Sequence, residues 1–231
     1  MLLAEDNTSV REFLAEALHA LGYAVTAVAD GQAALAAARA RPFAAALLDI
    51  NLPLLDGIAL ARLLRAEQPA LRLIGCSAEA AAETRTAALA AGMTAFLAKP
   101  VSLAALSAAL EAPSVTPAPE NRNSKIENPP FAATADIFAR LHTPATLARA
   151  RATLRAEWPR LRDTTESALA AGDRTALRGL AHYLQSTALL LDDTTLGALC
   201  TRLTAAAQPD SPESPAALLA AVAAHLDRDP A

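Results

Sequence analysis

The chain has 231 residues, of which 53% are hydrophobic, 19% charged and 3% aromatic, with a formal net charge of −4. That length suits one or two domains with a sizeable core, and the 62 alanines favour helix. The acidic balance argues against broad nucleic-acid binding, two cysteines are too few for a disulfide scaffold, and no apolar run approaches the roughly 18 residues of a membrane span.

The first 112 residues alternate between two textures. Short β-type runs fall at Leu2–Glu5, Ala24–Val28, Ala44–Asp49, Leu71–Cys76 and Thr94–Ala98. Helical patterns fall between and after them, at Ser9–Leu21, Gly31–Arg41, Gly57–Glu67, Ala80–Ala91 and Ser102–Glu111. Ser9 to Glu12 fits a capping box, Asp30 and Ser102 fit N-caps, and Gly22 and Gly92 sit where helices stop. Five β-α units in series predict a parallel sheet with helices on both faces. Residues 113–130 then carry five prolines among Asn, Ser, Glu and Lys, without apolar periodicity, and read as a flexible linker.

From 131 to 228 no strand pattern appears. Helices are predicted at Ala132–Leu141, Ala145–Glu157, Arg160–Ala171, Arg174–Leu191, Thr195–Ala207 and Pro215–Leu226. Pro144 and Pro159 are read as lying near helix starts, where a missing N–H costs little. Short connections favour antiparallel neighbours, so the second half is expected to be a helical bundle of the four-helix type. The fold class is thus α/β plus all-α.

Open α/β sheets bind ligands beyond the carboxyl ends of their strands. There the sequence puts Glu5 and Asp6 after the first strand, Asp49 at the end of the third, Ser77 after the fourth and Lys99 after the fifth. Clustered carboxylates repel one another, and a hard divalent cation such as Mg²⁺ removes that penalty. Such a site can position a phosphoryl group for attack by a carboxylate. Asp49 is the expected phosphoacceptor, with Asp6 on the metal, Glu5 acting through water, and Ser77 and Lys99 on phosphoryl oxygens.

Residues 1–112 resemble the receiver domain of two-component response regulators. The likeness rests on Glu5-Asp6, the run from Asp49 to Gly57, Ser77-Ala78 and Lys99-Pro100, in the family's order and approximate spacing. It implies a flavodoxin-like, doubly wound (βα)5 fold. It further implies that the Asn51 carbonyl completes the metal shell, that Lys99-Pro100 is cis, and that Phe96 is the switching aromatic. Asp56 and Gly57 are expected to be structural, as a turn and helix start. The chain starts almost inside its first strand, which leaves room for a longer parent. The early Glu5 and Asp6 do not suit a secretory signal, so the chain is expected to be cytoplasmic, or the cytoplasmic part of a membrane-bound sensor kinase.

In the second half His182 lies in a long helical pattern. Leu177, Leu180, Ala181, Leu184, Ala188 and Leu191 form its apolar stripe. Arg178, His182, Gln185, Ser186 and Leu189 form another face. The imidazole is therefore expected to be solvated and partly neutral near pH 7. Gln185 is expected to donate to a phosphoryl group, the small Ser186 to let a partner approach, and Leu189 to offer an apolar contact. His19, His142 and His225 are read as structural.

Residues 131–228 look like a histidine-containing phosphotransfer (HPt) domain. His182, Leu184, Leu196, Leu199 and Cys200 fit the family pattern. Gln185 replaces its Lys, Ser186 its Gly, and Asp192 stands near a further expected Gly. The lost Lys removes a charge that favours phosphate. The order receiver, linker, HPt resembles the C-terminal part of hybrid sensor kinases, and no kinase ATP motif is visible. The expected function is a phosphorelay: a histidine kinase supplies Asp49, and His182 relays the group to or from a receiver aspartate, including that of a downstream response regulator. Two alternatives stay open. The bundle could be a degenerate, non-phosphorylated interaction module. A Mg²⁺-dependent phosphohydrolase is disfavoured, because Asn51 stands where such enzymes carry a second acid.

Overall fold

The computed structural model describes residues 1–78, 81–111 and 143–228. The chain divides into two compact units, 1–143 and 144–231. The linker expected at 113–130 and the helix expected at 132–141 lie outside the described residues.

The first unit runs β1 (Leu2–Ala4), α1 (Thr8–Ala20), β2 (Thr26–Val28), α2 (Gly31–Ala40), β3 (Ala45–Asp49), α3 (Gly57–Glu67), β4 (Arg72–Ser77), α4 (Ala82–Ala90), β5 (Ala95–Ala98) and α5 (Leu103–Glu111). The strands form one parallel sheet in the order β2-β1-β3-β4-β5. This is the flavodoxin-like doubly wound order, whose crevice opens at the carboxyl ends of β1 and β3. β3 is buried along its whole length, as a central strand covered on both faces must be. Leu2, Ala4, Ala46 and Leu48 share a core with Ala34, Leu35 and Ala38 of α2 and Leu60, Ala61 and Leu64 of α3. Leu3 and Leu47 are equally buried, and strand alternation points them to the opposite face.

The helix ends follow side-chain chemistry. Asp30 caps α2 through the Ala33 N–H at 2.7 Å. Ser102 Oγ accepts from the Ala105 N–H at 3.1 Å. Gly22 and Gly92 follow α1 and α4 with φ of 87° and 96°. The capping box expected at Ser9 and Glu12 does not form. α1 starts one residue earlier, and Asn7 Oδ1 accepts from the Val10 N–H at 3.1 Å.

The described second unit is helical: α6 (Pro144–Ala170), α7 (Thr175–Leu191), α8 (Thr194–Ala206) and α9 (Pro215–Arg228). The break expected around Pro159 is absent, and one helix runs through it. Its inward positions, Ala150, Leu154, Trp158, Leu161, Thr165 and Leu169, keep the helical period across the proline. Pro159 itself is exposed, so its ring and lost hydrogen bond fall on the solvent side. The core joins Leu154 and Trp158 to Leu177, Leu180, Ala181 and Leu184 of α7, Leu196, Leu199, Cys200 and Leu203 of α8, and Leu218, Leu219 and Val222 of α9. α7 ends at Asp192, which adopts a left-handed φ of 54°. Asp tolerates that region better than most residues, though less well than Gly.

Among the described residues no helix is long and apolar enough to cross a membrane.

Candidate functional site

The carboxyl end of the sheet gathers Glu5, Asp49 and Lys99, each from the end of a different strand. Glu5 follows β1, Asp49 closes β3 and Lys99 follows β5. All three are buried. Lys99 Nζ donates to Asp49 Oδ2 at 2.6 Å and to Glu5 Oε1 at 3.0 Å, and lies 2.8 Å from Glu5 Oε2. The Asn51 N–H donates to Asp49 Oδ1 at 3.1 Å. Ser77 closes β4 and is fully buried. The Lys99 N–H bonds to the Ser77 carbonyl at 2.8 Å, which fixes the two strand ends side by side. The Lys99-Pro100 bond is cis. Phe96 is buried in β5 opposite Gly75, where a Cβ would lie 3.4 Å from its ring.

Oxygens of Glu5, Asp6 and Asp49 lie within 4.8 Å of one another. An octahedral Mg²⁺ with ligands at about 2.1 Å needs oxygens roughly 3–4 Å apart. Three hard carboxylates at this spacing fit such an ion after small adjustments. Burial pushes the Glu5 carboxyl up to about 8, opposed by the Lys99 ammonium and reinforced by Asp49. Burial also works against the Lys99 charge, but Glu5 and Asp49 together outweigh it and hold the ammonium well above its ordinary value. The pocket thus has a charge tension that a divalent cation relieves.

Two residues that the sequence reading passed over as chemistry shape this pocket. Arg11 Nη1 donates to the carbonyls of Glu5 at 2.8 Å and Asp6 at 3.0 Å, tying the acidic turn to α1. Nothing in the sequence distinguishes it from any surface arginine. Gly57 lies against β3, where a Cβ would fall 2.1 Å from the Asp49 carbonyl oxygen. Asp56, beside it, caps α3 through the Ile58 and Ala59 N–H groups at 3.0 and 2.9 Å.

In the helical unit, α7 carries Arg178, His182, Gln185, Ser186 and Leu189. Two expectations need correction. His182 is half-buried and its Nε2 is closed off from solvent, so the ring is not the solvated one read from the helical wheel. Ser186 is buried at 2% exposure and offers no surface for a partner. The wheel measures angle from the apolar stripe alone and takes no account of how far neighbouring chain wraps around a helix. Arg178 is exposed, and Gln185 and Leu189 are half-buried. Gln185 reaches toward α8, with Nε2 3.9 Å from where a Gly197 Cβ would stand.

A second polar cluster joins α8 to α9. Asp193 Oδ1 caps α8 through the Leu196 N–H at 2.8 Å, while Oδ2 lies 2.7 Å from His225 Nε2. Burial pushes the Asp193 carboxyl up, but the Leu196 amide and His225 outweigh it and hold the group below its ordinary value. This gives His225 a structural role.

Residues 1–111 match the family of response regulator receiver domains, and this part of the chain is a receiver domain. It is 38% identical over 112 residues to the transcriptional regulatory protein TctD of Salmonella typhimurium, covering 48% of this chain and 50% of that protein. It is 42% identical over 97 residues to the sensor protein TorS of Escherichia coli, covering 40% of this chain and 11% of that one. The receiver domain of NtrX from Brucella abortus is similar at 29% identity and a TM-score of 0.45, over 48% of this chain and 98% of that one. The chain therefore spans half or less of the length of these two curated relatives. It carries a receiver domain of two-component signalling, and sensor proteins are among the relatives matching that domain.

Proposed function

We propose that the chain is a phosphorelay protein in which Asp49 is the phosphoacceptor of the receiver and His182 that of an HPt-like bundle spanning 131–228. The observation that carries this reading is the Lys99 ammonium held between Glu5 and Asp49 at the sheet edge. An Asp49 oxygen attacks the phosphorus of a phosphohistidine on a histidine kinase. The new O–P bond forms as the N–P bond breaks, and the imidazole leaves. Lys99 turns from Asp49 to the phosphoryl oxygens, and the Ser77 hydroxyl donates to another. Glu5, Asp6, Asp49 and the Asn51 carbonyl would hold Mg²⁺, which supplies positive charge opposite the phosphoryl oxygens. Phe96 changes its packing as Ser77 moves.

The second transfer goes from the aspartyl phosphate to the unprotonated ring nitrogen of His182. A half-turn about the Cβ–Cγ bond exchanges the nitrogen and carbon edges of the ring, so the covered position of Nε2 does not fix which nitrogen meets the donor. A downstream receiver aspartate then takes the group. The linker at 113–130 would keep the bundle at high effective concentration near the receiver.

The test is transfer of radiolabelled phosphate from a cognate kinase to the wild type, Asp49→Asn and His182→Ala. Acyl phosphate and phosphohistidine differ in acid and base stability, which assigns the label. Asp49→Asn is expected to lose all receiver label, and His182→Ala to keep it while losing the acid-labile fraction. Normal receiver labelling of Asp49→Asn overturns the assignment. A second reading, a bundle that binds partners without carrying phosphate, has the covered Nε2 and the buried Ser186 in its favour. Unchanged signalling by His182→Ala would select it.

A further inference from the structure

We infer that Arg178 binds the phosphoryl group carried by His182, supplying from the N-terminal side of the histidine the positive charge that position 185 lacks. This deepens the reading of His182 as a phosphoacceptor and rests on it. Phosphorylation adds roughly two negative charges, and a phosphoryl group beside a half-buried ring needs a donor. Gln185 is neutral and leans against α8 at Gly197. The Ser186 hydroxyl is buried. Neither Leu189 nor Thr175 brings a charge to this face, so Arg178 is its one cation among the described residues of α7.

The arginine is also available. Most arginines of the helical unit are engaged. Arg155 bonds to the Leu226 carbonyl, Arg174 to the Ala206 and Gln208 carbonyls, Arg202 to Glu213 and Arg228 to the Ala224 carbonyl. Arg162 pairs with Asp163 and Glu166. Arg178 is exposed and makes no hydrogen bond or ion pair among the described residues. Its neighbour Gly179 has nothing within 4 Å of where a Cβ would stand, so the surface beside it is open.

Helix geometry then brings the two side chains together. Positions i and i+4 are neighbours on a helix surface, with Cβ atoms about 6 Å apart. Helical side chains lean toward the N-terminus, which carries the His182 ring over the turn that holds Arg178. A guanidinium presents paired N–H donors that match two phosphoryl oxygens.

The experiment uses the full chain with Asp49→Asn, which keeps label off the receiver, and phosphoramidate as donor. In the labelling step the N–P bond to histidine forms as the P–N bond of the donor breaks, and ammonia leaves. The rate of labelling at His182 and the half-life of the phosphohistidine are measured for Arg178→Gln, Arg178→Lys and the double variant Arg178→Gln with Gln185→Lys. Arg178→Gln is expected to lower the rate or the half-life by about tenfold, the size of one lost charge-assisted hydrogen bond. Arg178→Lys is expected to keep most of both, and Gln185→Lys to restore much of the loss. Unchanged labelling and half-life in Arg178→Gln overturn the inference. A loss that neither lysine repairs also overturns it, by showing a structural role. Absence of label at residue 182 in the protein with Arg178 intact removes the underlying reading of His182 and this inference with it.

Discussion

The receiver pocket draws its polar groups from strand ends up to 94 positions apart. The face of α7 takes all of its groups from residues 178 to 189. In the first, the backbone ladder fixes every donor and acceptor before any ligand arrives. Asp49 is held by a neighbouring amide and an ammonium, and its strand is buried on both sides. On α7, helical spacing sets only the angle of each side chain. How deeply each lies depends on its neighbours, and that is where the sequence reading of His182 and Ser186 failed. A sheet edge thus provides preorganised electrostatics, while a helix face provides a periodic row that its surroundings edit.

Substitutions in one unit are expected to leave the other alone, and calorimetry of the whole chain tests this most strongly through Trp158→Ala. Trp158 sits in the core of the helical unit at 6% exposure, and its truncation should cost about 3–5 kcal/mol. Only one of two transitions should move; a joint shift would merge the two regions into one cooperative body. Gly57→Ala is the counterpart in the receiver. Its Cβ would fall 2.1 Å from the Asp49 carbonyl oxygen, so a loss of about 3 kcal/mol is expected in denaturant titration. Phosphorylation of Asp49 should fall with it. A neutral outcome would show that the β3–α3 junction can yield.

pH separates the two regions in another way. The Glu5 carboxyl is raised in the folded state to about 8 from 4.5. A raised acid binds an extra proton on folding, so its contribution is fully present below 4.5 and is lost as pH rises through about 8. Without metal, the stability of the receiver should therefore fall as pH rises from 4.5 to about 8. Added Mg²⁺ should reduce that fall, because it favours the carboxylate form. A metal-free transition that climbs with pH contradicts this account. Smaller effects come last. Leu54 is 80% exposed with a φ of 66°, so Leu54→Gly should gain about 1 kcal/mol by removing left-handed strain. Trp158→Phe should cost far less than Trp158→Ala, because the buried indole N–H has no hydrogen-bond partner among the described residues.

Much of the receiver was legible because each strand end carries its own chemistry. Glu5, Asp49, Ser77 and Lys99 are each the polar residue that closes or follows an apolar run. The Asp30 and Ser102 caps and the Gly22 and Gly92 stops follow from local preference. Local signals compete at the start of α1: Asn7 and Ser9 both suit an N-cap, and the fold uses Asn7. Pro159 read as a boundary, yet the apolar period across it is unbroken and its ring faces water. The Asp193–His225 pair was invisible, since the residues lie 32 positions apart on separate helices.

The bridge from Lys99 to Glu5 and Asp49 has a consequence for the life of the chain. Its three members stand at the carboxyl ends of the first, third and fifth strands, so they meet only once the sheet is complete. A chain that stops short of residue 99 supplies both acids but lacks the ammonium that bridges them. The bridge is therefore a long-range contact that exists only in a receiver whose five strands have all joined the sheet.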